Sequence, residues 1–407
     1  MKKLLVISFS PIDRDPRVMR QLRALSAHYS VSVAGYRDLA AQASGETPAS
    51  TEEFVTLRTA LPLRLPEWLK QLMRAVFGQL VETFHPRKVI PTVMLLVGAY
   101  ERYYWSQGQV KVLLESMRGK QFDLVVVNDV SALPVGLKIA AGAPVVLDAH
   151  EYAPLEFEDL WRWRLLFGRY TNYLCRTYLP RVSAMVTVSR GVANEYRRVF
   201  GVEAEIIRNA PEFQALEPTP VDDGCIRMVH HGGANRSRNL EAMIDAMAHL
   251  DERYTLDLVL ISDAAYLEEL KERAGPCQNI RFVDPVPMPE ICKMLNQYDL
   301  GLVFIPPVNF NYANCLPNKF FEYVQGRIAI ASGPTPEMAE LIEEHGLGVV
   351  SDSFSASDIA SAIRRLSADD LRAAKSATHR IANEISFERD AARLVEIVDA
   401  QLEGSAA

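Results

Sequence analysis

CIRMVHHGGANRSRNLEAMIDAMAHL occupies residues 225–250. Its opening run is apolar, as a strand buried on both faces requires, and from Leu240 the apolar residues recur at helical spacing. Between them stand Gly232 and Gly233. A glycine pair lets backbone approach an anion closely, and the helix start that follows offers unpaired N–H groups at the positive end of its dipole. Arg236 and Arg238 add fork-shaped positive charge suited to phosphate oxygens. A plain strand–helix turn with solvated arginines accounts for the same letters, but two arginines directly after the turn favour phosphate.

The alternation continues in both directions. Downstream, YTLDLVLIS, NIRFVDPV, LGLVFIP and IAIASG read as strands between AYLEELKERA, PEICKMLNQY and NKFFEYVQG, which read as helices. Upstream, KKLLVISF, VSVAGY, FDLVVVN, APVVLDA and SAMVTVS are continuous apolar runs, again separated by helical or loop sequence. Such runs predict parallel sheets covered on both faces. EPTPVDDG has the composition of a linker. Two α/β domains in tandem follow, over 1–210 and 211–384, with an amphipathic helix in 385–407 that fits either.

Composition narrows the classes. The 407 residues are 49% hydrophobic and 23% charged, a globular balance that excludes a disordered, collagen-like or polytopic membrane chain. Five cysteines without a C-x-x-C pair argue against a disulfide framework or zinc site. The apolar run after Lys2 and Lys3 stops at Pro11, too short for a signal peptide and suited to a first strand, so a cytoplasmic location is expected. Residues 1–210 hold 27 basic and 20 acidic residues, a net +7, leaving 17 against 31, a net −14. A basic half suits an anionic partner; no nucleic-acid signature accompanies it, and none is expected to bind.

Two further segments carry chemistry. In NCLPNKFFEYVQG, Pro317 suits a first helical turn, Asn318 and Lys319 stand at its start, and Phe320, Phe321 and Val324 form an apolar stripe. Glu322, a turn further on, can accept hydrogen bonds from vicinal hydroxyls such as a ribose offers; position alone favours a glutamate that stabilises the positive end of the helix, and the whole motif favours the first. In APVVLDAHEYAP, Asp148, His150 and Glu151 sit at a strand's carboxyl end, where open α/β sheets bind ligands. Asp13, Asp15 and Arg17 follow the first strand, with Asp15 and Pro16 equally readable as a helix cap.

Together DPRVMRQLRAL, VLDAHE, VTVSRGVANEY, IIRNAP, HHGG with RNLEAMIDA, and LPNKFFEYVQG resemble a GT-B glycosyltransferase of the retaining family-4 type. The resemblance implies two Rossmann-like domains facing a cleft, the second binding the donor, the first the acceptor, and the last helix packing back on the first. It places Gly232, Gly233 and Arg238 by a donor diphosphate, with Arg236 and Asn318 close by, and gives Glu322 the donor ribose. The first glutamate of the family's E-x7-E motif falls at Asn314, so an amide stands there, and Lys319 belongs to a PNK-x-F-E variant. The residues expected to carry the reaction are His150, Arg238, Lys319 and Asn314, with Asp15, Arg17, Asp148 and Glu151 on the acceptor side.

The expected activity is transfer of a sugar from a nucleoside-diphosphate donor to a hydroxyl, with retention. The enzyme is expected to be a hexosyltransferase that needs neither metal nor cofactor. A non-catalytic GT-B scaffold or partner subunit, suggested by Asn314, is the alternative. Residues 62–88, PLRLPEWLKQLMRAVFGQLVETFHPRK, mix apolar and basic side chains and read either as packed on the first domain or as lying on an anionic membrane. On the membrane reading, the protein is peripheral on the inner face of the plasma membrane. Its acceptor is then a lipid-linked saccharide, as in polysaccharide biosynthesis.

Overall fold

The computed structural model describes residues 1–37, 51, 53–57, 86–275 and 277–404. The 62–88 segment, apart from its last three residues, lies outside them. The chain divides into two compact units. One comprises Met1–Thr187, Asn194–Glu205 and the chain from Leu394; the other comprises Val188–Ala193 and Ile206–Arg393.

The first unit is built on β1 (Lys3–Pro11), β2 (Ser30–Tyr36), β3 (Glu53–Thr56), β4 (Leu124–Asn128), β5 (Val145–Ala149), β6 (Ala184–Thr187) and β7 (Glu205–Ile206). Their order is β3-β2-β1-β4-β5-β6-β7, and the pairings from β3 through β6 are parallel. Leu4–Ile7, Leu124–Val127 and Val145–Leu147 are buried, as continuous apolar strands must be when helices cover both faces. Helix α1 (Pro16–Ser26) starts at Asp15, whose carboxylate accepts from the backbone N–H of Arg17 at 3.1 Å and Val18 at 3.2 Å, with Pro16 in the first position. Helix α2 (Arg190–Phe200) begins in one unit and ends in the other.

The second unit contains β8 (Ile226–Gly233), helix α3 (Leu240–Met247), β9 (Tyr254–Ile261), β10 (Ile280–Phe282), β11 (Leu300–Val303), helix α4 (Asn318–Gln325), β12 (Ala329–Ser332), β13 (Gly348–Val350) and helix α5 (Ala368–Ile381). The strand order is β10-β9-β8-β11-β12-β13, all parallel. The order reverses on either side of β8, so its carboxyl end is a topological switch point, where ligands of such sheets bind. Helix α6 (Phe387–Gly404) leaves the second unit and joins the first from Leu394, where Tyr29 donates its hydroxyl to Asp399 at 2.7 Å.

Helix α4 departs from the amphipathic expectation. Every residue from Lys319 to Gln325 is buried, because the helix is packed against β11, β12, α5 and the short helix Ile291–Leu295. Its polar side chains therefore need internal partners: the Gln325 amide donates to the carbonyls of Ala382 at 2.6 Å and Ile385 at 2.7 Å. The seat of α4 on β11 depends on Gly301, where a Cβ would lie 2.6 Å from the ring of Tyr323. Gly301→Ala is expected to cost about 1–3 kcal/mol through overpacking. Urea denaturation checks it, and an unchanged midpoint would show that the helix has room to shift.

Candidate functional site

At the carboxyl end of β8 the chain reads His230-His231-Gly232-Gly233, and α4 begins beside it. His230 Nδ1 lies 2.8 Å from the Leu302 carbonyl, which can only accept, so Nδ1 carries the proton. That leaves Nε2 as an acceptor for the Lys319 amine, 3.1 Å away. The Tyr323 hydroxyl donates to the same Leu302 carbonyl at 3.0 Å. His231 stands edge-on to the Tyr323 ring, with Nε2 3.4 Å from Glu322 Oε2. Lys319 and Glu322 are 5% and 8% exposed, so the strand end and the first turn of α4 form one packed polar cluster.

Gly232 has φ +103°, a left-handed conformation that favours glycine, and a Cβ there would lie 3.9 Å from Lys319 Cε. Arg238 closes the other side. Its Nη1 donates to the Gly233 carbonyl at 2.9 Å, while its buried Nε–H has no hydrogen-bond acceptor. Basic groups thus converge on the glycine turn with Glu322 as the carboxylate beside them. Burial first, and the positive Arg238 second, pull the Lys319 amine down to about 7, against an opposing pull from Glu322. Burial and the Lys319 charge lower His230 well below its usual range and His231 to about 3, so both imidazoles are neutral at pH 7. An anion at Gly232 would reverse these penalties.

The remaining donor-side candidates have other work. Arg236 is exposed, paired with Glu269 at 2.6 Å and stacked 4.6 Å over the Tyr266 ring. Asn318 accepts from the Asn209 amide at 2.8 Å. Asn314 ends the short helix Phe310–Ala313, donates to the Phe310 carbonyl at 2.8 Å, and fills the space above Gly191, where a Cβ would meet its Oδ1 at 2.0 Å.

In the first unit a chain of hydrogen bonds leads to His150. Arg17 and Asp148 form a buried pair, 2.6 Å from Nη2 to Oδ1, with Arg17 Nε donating to the same carboxylate at 3.0 Å. Gln21, one turn after Arg17, donates to Asp148 at 3.0 Å and accepts from the Asn128 amide at 2.8 Å. The other end of that amide, Oδ1, lies 3.0 Å from His150 Nε2. Asp129, at φ +64°, accepts from the His150 backbone N–H at 3.0 Å, and its other oxygen is 3.6 Å from Nδ1. Asp15 therefore caps α1, and Arg17 and Asp148 are buried scaffolding that holds the imidazole's neighbours. Glu151 is exposed as a residue, yet protein around its carboxyl, then Glu156 and Asp129, pushes it up to about 8.

Gln21, Asn128, Asp129, His230 and His231 are members of these clusters that the motif reading did not single out. Asn128 ends β4 as Asp148 approaches the end of β5, so the carboxyl-end rule applied to every strand would have reached it. Among the described residues, no group of three or more His, Cys, Asp or Glu is arranged to hold a metal ion, and no helix is long and apolar enough to cross a membrane.

The depressed Lys319 has a measurable consequence. Between about pH 7.5 and 9.5 the unfolded chain keeps this proton, with a free-lysine pKa near 10.4, while the folded chain has largely released it. The unfolded state then binds more protons, and stability rises with pH by up to about 1.4 kcal/mol per unit. Denaturant titrations should show this rise in the wild type relative to Lys319→Met. Parallel pH profiles would contradict it.

No curated protein sequence matches the chain significantly. Residues 18–211 match the model of Glycosyltransferase Family 4. Anabaena Alr3699/HepE, solved in complex with UDP and glucose, superposes with a TM-score of 0.69 at 14% identity, over 98% of this chain and 100% of that one. Sucrose-phosphate synthase from Thermosynechococcus elongatus gives 0.70 at 12% identity, over 99% and 100%. A mutant of S. aureus TarM, in complex with fondaparinux, alpha-GlcNAc-glycerol and UDP, gives 0.66 at 9% identity, over 98% and 99%. The chain thus has the GT-B fold along nearly its whole length, and its residues 18–211 resemble Glycosyltransferase Family 4.

Proposed function

We propose that the protein transfers a hexose from a nucleoside-diphosphate donor to a hydroxyl acceptor, with retention at the anomeric carbon. The observation that carries this reading is the gathering of Arg238, Lys319 and two neutral histidines around the left-handed Gly232 turn, beside Glu322. Burying the Lys319 amine beside the Arg238 charge is costly, and a diphosphate is the ligand chemistry that relieves it. Gly232 and Gly233 admit the phosphates, Arg238 offers them its unpaired Nε–H, and Lys319 at the first turn of α4 takes up charge as the diphosphate departs. Those groups stabilise the leaving diphosphate without calling on a metal or a cofactor. Glu322 accepts the ribose hydroxyls, and Asn318 and Asn314 shape the wall beside it. Arg236 serves at most from the rim, since Glu269 and Tyr266 hold it.

The first unit carries the acceptor, with His150, oriented by Asn128 and Asp129, hydrogen-bonding the hydroxyl that receives the sugar. Glu151, held high at about 8, is a neutral donor beside it at pH 7. The +7 excess of residues 1–210 supports an anionic acceptor, and we take it to be a lipid-linked saccharide of polysaccharide biosynthesis, met by a peripheral enzyme at the inner face of the membrane.

Because the HepE structures contain UDP, titration calorimetry with UDP and with GDP is the direct test. Glu322→Ala should weaken nucleotide binding by about 2–3 kcal/mol, the loss of charged hydrogen bonds to two hydroxyls. Arg238→Ala should weaken nucleoside diphosphate far more than nucleoside. Unchanged affinity in a folded Glu322→Ala protein would remove the ribose role, and equal losses for both ligands would remove the phosphate role. Slow hydrolysis of radiolabelled UDP- or GDP-sugars distinguishes an enzyme from a scaffold.

A further inference from the structure

Among the described residues, large apolar side chains left open to water gather on two neighbouring segments of the first unit. Val93, Leu96 and Val97 lie at the end of the helix Pro86–Leu96, with Val97 71% exposed. Phe157, Leu160, Trp161 and Leu165 lie on the loop and turn after β5, with Trp161 61% exposed. The segments are in contact, since the helix packs on the turn Arg164–Gly168. Scattered exposed apolar residues are ordinary; seven on two touching segments make a patch.

Charge accompanies this face. Residues 161–176 include Arg162, Arg164, Arg169 and Arg176 and no carboxylate. Arg162 covers the face of Trp161 at 5.4 Å. Arg164 and Arg169 are exposed, and their side chains make no hydrogen bond or ion pair among the described residues. The preceding carboxylates Glu158 and Asp159 are already engaged. The two free guanidinium groups, with Tyr100, Tyr152, Trp163 and Tyr173, also line a cavity of about 670 Å³.

We propose that this face seats the protein on an anionic lipid bilayer. Trp161, Leu160, Leu165 and Val97 enter the boundary between headgroups and acyl chains, and Arg164 and Arg169 take lipid phosphates. The proposal gives a surface to the membrane association in the reading above and rests on that association. A bilayer fits better than a second copy of the chain, because a two-fold contact sets the same patch against itself and crowds unpaired arginines. Tryptophan at the interface, leucine below it and arginine reaching for phosphate is the arrangement that membrane-surface elements use.

Co-sedimentation with vesicles of phosphatidylglycerol and phosphatidylcholine, and of phosphatidylcholine alone, at low and high salt, tests it. The wild type should pellet with the anionic vesicles at low salt and be released at high salt. Arg164→Gln/Arg169→Gln should lower that partitioning about 30-fold, as two cations near an anionic surface are expected to contribute. Trp161→Ser/Leu165→Ser should lower binding to both vesicle types. Circular dichroism and thermal midpoints report folding of both variants, and UDP binding is read separately, so failure of the donor reading leaves the vesicle result intact. A wild type that stays in the supernatant with anionic vesicles overturns the proposal. So do variants that pellet like the wild type, or a dimer that Trp161→Ser/Leu165→Ser dissociates without changing vesicle binding.

Discussion

A lysine amine buried against a neutral imidazole holds the second unit's site in its present form. Lys319 donates to His230, His230 donates to the Leu302 carbonyl, and Tyr323 reaches that carbonyl from the same helix as Lys319. The chain ties the end of β8 to β11 and to α4. It also fixes the tautomer of His230, because a carbonyl on one ring nitrogen leaves a lone pair on the other. The arrangement is costly without an anion: Lys319 is desolvated and Arg238 repels it. Functional sites are where such costs are retained, and on the reading proposed above the donor diphosphate is the ligand that offsets them.

The first unit solves a similar problem with different groups. Its buried charge is neutralised, Arg17 against Asp148, and the leftover hydrogen-bonding capacity passes through Gln21 and Asn128 to His150. Removing one member of a buried pair leaves an uncompensated charge, so this network is rigid in a way that a surface cluster is not. Both clusters sit at carboxyl ends of parallel strands, in line with how doubly wound sheets present their ligand sites.

Much of this was readable from the chain. Continuous apolar runs marked the strands of both sheets, Asp15-Pro16 marked the start of α1, and the glycine pair marked the end of β8. Glu322 and Lys319 stood out through the whole LPNKFFEYVQG motif and its resemblance to the family pattern, since position alone fits a glutamate that merely stabilises the helix start. Partners far apart in sequence were not readable. Arg236 looked as suited to phosphate as Arg238, and only the fold shows that Glu269 and Tyr266 claim it while Arg238 keeps a free Nε–H. The stripe of Phe320, Phe321 and Val324 implied one buried face, whereas packing from four elements buries Lys319 and Glu322 as well. His230 and His231 escaped notice because a histidine at a strand end is ordinary until its ring nitrogens have named partners.

The central claim is that the basic cluster at Gly232 binds a diphosphate, with Lys319 held near neutrality. Titration calorimetry of UDP at pH 8, in two buffers of different protonation enthalpy, measures it most directly. Lys319 at about 7 is mostly unprotonated at that pH, and a bound diphosphate raises its pKa, so binding should draw protons from the buffer in the wild type and not in Lys319→Met. Binding without net proton uptake, or the same uptake in both proteins, would contradict the account.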